Sequence, residues 1–466
     1  MNQAFSPKIV EIDSFKYVLD EQEKTAGIAG CAENNRNYNI VIPTSFTYKS
    51  QNYTITSIQP FAFKSSIQIW SIQFSYDSNL QTIGEESFKG TNIRSISIPP
   101  HVTIIGKGSF SDCTQLSQVI IPDNSELQII EEYAFSNTNI NTFTIPKYLT
   151  QLGAGWCFRT PKLEDVNLNP KNRHFQFYQS TFLLSKSSPS SEIYDLLHFC
   201  IRGVEKVVIP NFVRIIGPYA FSGCRDLLQI DYQPDSNLHT IGRGFISNTK
   251  ISNITIPEKV TQLESGWLEL TNFLKIVKID DRNTNFSVYE KTFILGKSSP
   301  EKENFDVLHF SVRDVKTVLI PRFIEVIGNS AFRNCMSLKK VEFEEDSNLR
   351  IIEDYAFVAT PIKKVSIPKK VTCIGKGSFA MCSNLDDVKI PPDSKIDSID
   401  EMAFNNMKIE SLVIHRHVKY IHKYAFKCCD IKIIELEMSP FDHNCDFLYY
   451  INKNTLVMIP SEFSTK

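Results

Sequence analysis

The chain has 466 residues, of which 42% are hydrophobic and 22% are charged, so its composition is typical of a folded protein. Its 50 basic and 52 acidic side chains give a formal net charge of −2. A chain with so little net charge has no global field that favours nucleic acid or an anionic membrane, and we expect neither as a partner.

The N-terminal sequence MNQAFSPKIVEIDSF lacks the apolar run of a secretory signal. No stretch approaches the roughly 18 apolar residues of a transmembrane helix, and the C-terminal IPSEFSTK has no lipidation motif. We therefore expect no signal peptide, transmembrane segment or membrane anchor. Two cellular locations are compatible with this sequence: the cytoplasm, or the cell surface reached without a signal peptide.

A repeat marked by phenylalanine begins after residue 54. An Ala-Phe or Ser-Phe pair recurs, and consecutive pairs are alternately 25 and 22 residues apart. The pairs end in Phe63, Phe88, Phe110, Phe135, Phe221, Phe332, Phe357, Phe379, Phe404 and Phe426. Substitutes near Trp156, Phe245 and Trp267 fit the same frame, which gives about thirteen turns. A period of roughly 20–29 residues predicts a leucine-rich-repeat solenoid.

Each turn contains a short strand with one buried face. In LSQVIIP (116–122), the alternation predicts that Val119 and Ile121 point inward while Gln118 faces outward. Pro122 ends the strand because it has no N–H to donate. The next apolar residues fold back onto the core as an irregular or helical return arm, so the predicted fold is mainly β.

A longer repeat of 111 residues spans several turns. The segments that start at Ile98, Ile209 and Ile320 align at this offset. Within it, residues 177–210 match residues 288–321 and interrupt the repeat. We interpret the first copy as a hairpin of two strands, around Phe182–Leu184 and Leu196–Phe199, joined by an exposed Ser/Pro loop. The solenoid should therefore carry two inserted hairpins.

These features predict the following domain organisation. The expected segments are an N-terminal β cap at 1–54, repeats at 55–174, a hairpin at 175–203, repeats at 204–285, a second hairpin at 286–314, repeats at 315–438 and a C-terminal cap at 439–466.

The run VTIIGKGSFSDCTQLSQVIIP (102–122) and its copies resemble the BspA-like, or treponemal-type, leucine-rich repeats. The resemblance covers nearly the whole chain. Members of that family are surface or secreted adhesion-type proteins of bacteria and of parasitic protists such as trichomonads. The resemblance implies a solenoid that recognises host or matrix proteins, and it supplies no catalytic residues.

Five cysteines each lie three residues after a frame phenylalanine: Cys113, Cys224, Cys335, Cys382 and Cys429. Two turns separate Cys382 from Cys429, about 9–10 Å at strand spacing, which is too far for a disulfide. We expect these thiols to be buried, reduced and slow to react, as small apolar groups that fill the turn. The sequence contains no C-x-x-C pair, so a zinc site is not indicated.

The histidines allow two interpretations. His415, His417 and His422 cluster in HRHVKYIH and could hold a metal, although exposed strand-edge histidines are commoner. We therefore expect no metal there. His198 and His309 recur at the 111-residue offset between Leu and Phe, which favours a packing role.

No motif supports catalysis. The segment LGKSS (295–299) resembles the end of a phosphate-binding loop, but Lys291 stands where the earlier glycine is needed and Ser185 replaces Gly296 in the sister insert. We expect a protein that is not an enzyme and uses no cofactor. A leaderless enzyme with a cryptic site stays as an alternative.

The leading hypothesis is a scaffold that binds a protein of unknown identity, because stacked turns offer an extended surface whose out-facing positions can vary. From residue 340 onward those positions become charged. We place the partner site on Lys340, Glu342, Lys364, Asp387 and Lys389. An adhesin for glycoprotein or carbohydrate is the alternative; it would use exposed aromatic side chains, for which Trp70 and Tyr232 are candidates.

Overall fold

The computed structural model describes residues 8–32, 39–299, 301–415, 418–437, 448 and 455–458. These residues form β-strands joined by turns, and no α-helix occurs among them. The helical alternative for the return arms is therefore not found in this part of the chain. The same residues contain no helix with the length and apolar character that crossing a membrane requires.

The strands fall into three groups along the chain. The first group is β1 Lys8–Ile12, β2 Phe15–Asp20, β3 Thr25–Cys31, β4 Asn39–Ile42, β5 Ser45–Tyr48, β6 Gln51–Ile58, β7 Ser71–Phe74, β8 Thr82–Ile83, β9 Ser95–Ser97, β10 Ile104–Ile105, β11 Gln118–Ile120, β12 Ile129–Ile130, β13 Thr142–Ile145, β14 Gln151–Leu152 and β15 Asp165–Leu168. The second is β16 Phe175–Tyr178, β17 Phe182–Ser185, β18 Leu196–Cys200, β19 Lys206–Ile209, β20 Ile215–Ile216, β21 Gln229–Tyr232, β22 Thr240–Ile241, β23 Asn253–Ile256, β24 Gln262–Leu263 and β25 Ile276–Ile279. The third is β26 Phe286–Tyr289, β27 Phe293–Gly296, β28 Val307–Ser311, β29 Thr317–Ile320, β30 Val326–Ile327, β31 Lys340–Phe343, β32 Ile351–Ile352, β33 Lys364–Ser366, β34 Cys373–Ile374, β35 Asp387–Lys389, β36 Ser398–Ile399, β37 Lys408–Ile414, β38 Tyr420–Ile421, β39 Asp430–Leu436 and β40 Leu456–Met458.

The chain divides into two compact units. Unit 1 contains the described residues up to Glu205 together with Phe212–Leu227. Unit 2 contains Lys206–Asn211 and the described residues from Leu228 onward.

Each turn contributes one long strand, and parallel pairs such as β13 with β15 join neighbouring turns. Seventeen such strands occur in the described residues: β4, β7, β9, β11, β13, β15, β19, β21, β23, β25, β29, β31, β33, β35, β37, β39 and β40. The solenoid prediction is confirmed, but the count exceeds the thirteen turns expected. The extra strands are β4, β19, β29 and β40, which lie at the ends of the repeat or directly after an insert and follow no Ala-Phe pair.

The frame phenylalanines form the centre of the core. In unit 2, neighbouring rings stack face to face, with centroids 4.9 Å apart between Phe332 and Phe357 and 5.1 Å apart between Phe357 and Phe379. In unit 1, Phe88 and Phe110 stack in the same way at 5.3 Å. Each of these rings is fully buried. Because one turn cannot cover its own ring, the turns are stable only when they stack.

The glycine that follows many short return strands is required by close backbone approach. At Gly106 a Cβ atom would lie 2.8 Å from the backbone nitrogen of Glu85, and at Gly375 it would lie 2.9 Å from that of Asp354. A side chain there would push the preceding turn away. The Ile-Gly pair of the repeat is therefore a packing requirement.

The inserts contain one strand more than the sequence indicates. In the second insert β26 pairs antiparallel with β27, and β27 pairs antiparallel with β28. The last strand then joins the short return strands, because Val307 and Leu308 pair in parallel with β30. The first insert repeats this pattern with β16, β17, β18 and β20. The insert thus replaces a return arm of the solenoid.

A buried asparagine fastens the start of each insert to the preceding turn. The Asn283 Nδ2 donates to the carbonyl oxygens of Pro257 and Val260, at 2.8 and 3.0 Å. Its Oδ1 accepts from the backbone nitrogens of Asn285 and Phe286, at 2.8 and 3.2 Å. Asn172 makes the equivalent four bonds in the first insert.

Candidate interaction surface

The charged row expected from the sequence lies on three long strands of unit 2. β31, β33 and β35 bury Val341, Val365 and Val388 and turn the alternate positions outward. The side chains of Lys340 and Lys364 are 60% and 74% exposed. Since the buried positions hold the fold, the out-facing side chains are available to a partner.

Two ion pairs organise this row. The Lys340 Nζ lies 2.8 Å from the Glu342 Oε1 on the same strand. The Lys364 Nζ lies 3.2 Å from the Asp387 Oδ2 on the neighbouring strand, where the two residues are register partners. Lys389 is exposed on β35, opposite Ser366 in the register. Exposed pairs of this kind add little stability, so their removal should leave the fold intact.

The two aromatic candidates lie in different units. Trp70 precedes β7 and is about half exposed, with the Arg94 guanidinium carbon 5.1 Å from its ring centroid. Tyr232 ends β21 in unit 2 and is partly buried. Each is thus a single aromatic residue beside a polar strand face.

The frame cysteines are buried, and their thiols donate hydrogen bonds to backbone carbonyl oxygens. The Cys113 Sγ lies 3.0 Å from the Phe88 carbonyl oxygen, and the Cys382 Sγ lies 3.1 Å from that of Phe357. Burial raises the pKa of Cys113 to about 11 and also raises that of Cys382. In other turns a threonine donates instead to the carbonyl oxygen of its own phenylalanine, as Thr138 does to Phe135, so Cys and Thr both place a small hydrogen-bond donor at this position.

Cys224 departs from this pattern. Its Sγ lies 3.2 Å from the Arg202 Nη1 and 3.8 Å from the Cys200 carbonyl oxygen. Hydrogen bonding with the Cys200 thiol and the nearby guanidinium lower the pKa of Cys224, although burial opposes the change. At the 111-residue offset Ser311 replaces Cys200 and Arg313 replaces Arg202. There burial raises the pKa of the Cys335 thiol. This difference was not predicted from the sequence, although the 111-residue offset aligns Cys200 with Ser311 and Arg202 with Arg313.

We expect Cys224 to react with a maleimide faster than Cys335 near pH 7, because the thiolate is the reacting species. Both thiols are fully buried at equivalent frame positions, so burial does not distinguish them. Mass spectrometry of timed labelling of the folded protein measures both rates. Changing Cys200→Ser reproduces the unit 2 arrangement and should slow Cys224 to the rate of Cys335. Equal rates in the unchanged protein would contradict this electrostatic account.

Two of the histidines singled out in the sequence pack edge-on against phenylalanine rings, His198 on Phe175 and His309 on Phe286. The expectation of an exposed histidine at 415 is wrong, because His415 is buried, with ring nitrogens 3.0 Å from the Glu437 carboxylate and 2.9 Å from the Ile390 carbonyl oxygen. Burial lowers the pKa of both His198 and His309 to about 4, so both are neutral at pH 7.

His417 lies outside the described residues, and with it the full cluster expected from the sequence. Among the described residues, no group of three or more His, Cys, Asp or Glu side chains is arranged to hold a metal ion.

The stacked turns, the phenylalanine frame and the out-facing strand positions define a leucine-rich-repeat solenoid. The family described as the BspA type leucine rich repeat region matches residues 38–185, 192–294 and 307–433 in six copies. The chain belongs to this family, as the resemblance in the sequence indicated. A search among curated proteins finds no match.

Several solved structures are similar to this chain. A leucine-rich repeat protein from Bacteroides ovatus is 20% identical, with 97% of this chain and 99% of that chain covered and a TM-score of 0.43. The pneumococcal vaccine antigen PcpA is 15% identical, with 97% and 98% covered and a TM-score of 0.40. The T. pallidum leucine-rich repeat protein TpLRR is 16% identical, with 52% and 89% covered and a TM-score of 0.33.

Proposed function

We propose that this chain is a non-catalytic scaffold that binds a protein partner through the charged row Lys340, Glu342, Lys364, Asp387 and Lys389. The observation that carries this proposal is the separation of roles along β31, β33 and β35. Buried valines hold these strands in place, while charged side chains alternate with them, all exposed except the half-buried Asp387, and contribute little to the core. The out-facing side chains of such a surface can be substituted, and the partner that it binds can thereby change, while the buried residues keep the same fold.

The arrangement of charges supports recognition by complementarity. Lys340 and Lys364 are the most exposed members of the two ion pairs, and Lys389 adds a third positive charge at the next strand. Rows of charge steer encounter and exclude partners of the wrong sign, even where each pair adds little affinity. The partner surface should therefore carry acidic groups opposite the lysines.

We further propose that the partner is a host or matrix protein and that the chain acts in adhesion or surface recognition. This finer role is supported by membership of the BspA type repeat family. The resemblance noted in the sequence implies that members of this family are surface or secreted adhesion-type proteins. PcpA, a pneumococcal protein of similar fold, is a vaccine antigen.

The test is a charge reversal at Lys340→Glu together with Lys364→Glu. Partners are captured with the tagged full chain, and the affinity of a purified partner is then measured at low and high salt. We expect the affinity at low salt to fall at least about tenfold and no longer to weaken as salt is added, because favourable long-range pairs become repulsive and salt screens that repulsion. The melting temperature should stay unchanged, since neither side chain is part of the core.

The matched control reverses two charges of unit 2 that lie on turns, Lys259→Glu with Lys370→Glu. The two lysines donate hydrogen bonds to asparagine side chains, Lys259 to Asn237 and Lys370 to Asn348. Unchanged affinity is expected there. A partner that binds the Lys340 and Lys364 variant as tightly as the unchanged chain would show that the charged row is only a solvated strand face.

A further inference from the structure

The long-strand ladder of unit 2 is interrupted at the second insert. β25 pairs with β23, β29 pairs with β31, and no described strand pairs with the other edge of β25. The Ile276 backbone nitrogen donates to the Ser252 carbonyl oxygen at 3.1 Å, toward β23. Because backbone groups alternate in direction along a strand, the N–H and C=O groups of Val277 and Ile279 point toward the unpaired edge.

A groove with a volume of about 510 Å³ runs beside this edge. It lies between β25 and the insert, and its apolar lining includes Ile276, Val288, Ile294, Phe310 and Val312. Ile276 is 52% exposed and Val288 is 41% exposed. We name it the β25 groove. An unpaired strand edge beside exposed apolar side chains is a template on which an extended segment can add as a strand.

The charges around the β25 groove select the kind of segment. Lys275, Lys278 and Lys291 are exposed along its lining, against the single carboxylate of Asp281. Three positive charges and one negative charge favour an acidic segment, which would gain complementary pairs at its out-facing positions.

The equivalent turn of unit 1, at β15, shows that the fold does not require these lysines. At the 111-residue offset the frame residue Val277 corresponds to Val166, and both are buried. Lys275 corresponds to Glu164, and Lys278 corresponds to Asn167. The same strand position thus carries an acidic residue in unit 1 and a basic one in unit 2, so the positive charge of the β25 groove is a property of its surface.

We propose that the β25 groove binds an extended acidic segment of a partner protein by strand addition to β25. Alternate apolar side chains of the segment enter the groove beside Val288 and Ile294, and its carboxylates lie near Lys275 and Lys278. Its backbone pairs with the open groups of β25. This site is separate from the charged row on β31, β33 and β35, and it goes beyond the function proposed above.

The probe is a fluorescent peptide of about nine residues in which Val and Asp alternate, titrated against the full chain and followed by anisotropy. We expect saturable binding that weakens with salt. The variant Lys275→Glu with Lys278→Asn carries the residues that unit 1 has at these positions, so it should fold normally. Its affinity for the peptide should fall at least about tenfold.

A matched peptide with Lys in place of Asp serves as the control for charge, and it should not bind. Amide hydrogen exchange tests the mode of binding, because strand addition should slow exchange at Val277 and Ile279 in particular. The Lys340→Glu with Lys364→Glu variant should bind the peptide normally, which separates this site from the charged row.

Three results would overturn the proposal. They are the absence of saturable binding, equal affinity in the Lys275→Glu with Lys278→Asn variant, and unchanged exchange at Val277 and Ile279 in the saturated complex. In any of these cases the lysines serve to keep an unpaired edge from pairing with other chains.

Discussion

Replacement of Phe332 by alanine should lower the free energy of unfolding by about 3–5 kcal/mol, the cost of truncating a fully buried aromatic side chain. Its ring is fully buried, stacks on Phe357 at 4.9 Å and meets the edge of Phe293 at 6.0 Å. The change therefore leaves a cavity between neighbouring turns, which stacking cannot close without moving a whole turn. Urea denaturation followed by circular dichroism measures the effect, and Phe379→Ala should behave in the same way.

The control is Phe273→Ala in the same unit, because the Phe273 side chain is 59% exposed. Its removal should change the free energy of unfolding by less than about 0.5 kcal/mol. If Phe332→Ala costs no more than Phe273→Ala, the inward face of the repeat has been wrongly assigned.

Replacement of Asn283 by alanine should cost about 3 kcal/mol, because four backbone groups each lose a hydrogen bond in a buried position. The amides of Asn285 and Phe286 would lose the Asn283 Oδ1 as acceptor, and the carbonyls of Pro257 and Val260 would keep only the longer bonds from the Val260 amide and the Asn285 Nδ2. Since these bonds join the insert to the preceding turn, exchange of the insert amides should also accelerate. Thermal melting and amide exchange measure the two effects.

Two further variants make this test specific. Asn283→Asp keeps the acceptor and loses the donor, so its cost should be intermediate near neutral pH. Asn304→Ala changes an exposed asparagine of the same insert and should have little effect. Equal melting temperatures for all three would show that Asn283 does not hold the insert.

The sequence was sufficient for the repeat frame because every frame residue has the same neighbours in each turn. The position of Phe332 predicts its burial from the period alone, and the position of Cys382 does the same. The alternation in β33 likewise predicts that Lys364 faces outward. Such inferences need only the local pattern and the knowledge that turns stack.

Features that depend on contacts across an insert could not be predicted in this way. Asn283 bonds to carbonyls more than twenty residues earlier in the chain, and no local pattern gives that register. The bond from Cys200 to Cys224 depends equally on how β18 joins the return strands. One signal was available, because Asn172 and Asn283 agree at the 111-residue offset while the residues around them differ.

Lysine footprinting of the chain with and without a captured partner tests the central claim most directly. Acetylation followed by mass spectrometry measures the rate at each lysine. We predict that Lys340, Lys364 and Lys389 are protected by the partner. Lys107 and Lys147, which belong to unit 1 and lie outside the charged row, should react at unchanged rates. A stable complex in which Lys340, Lys364 and Lys389 are acetylated as fast as in the free chain would contradict the proposed binding surface.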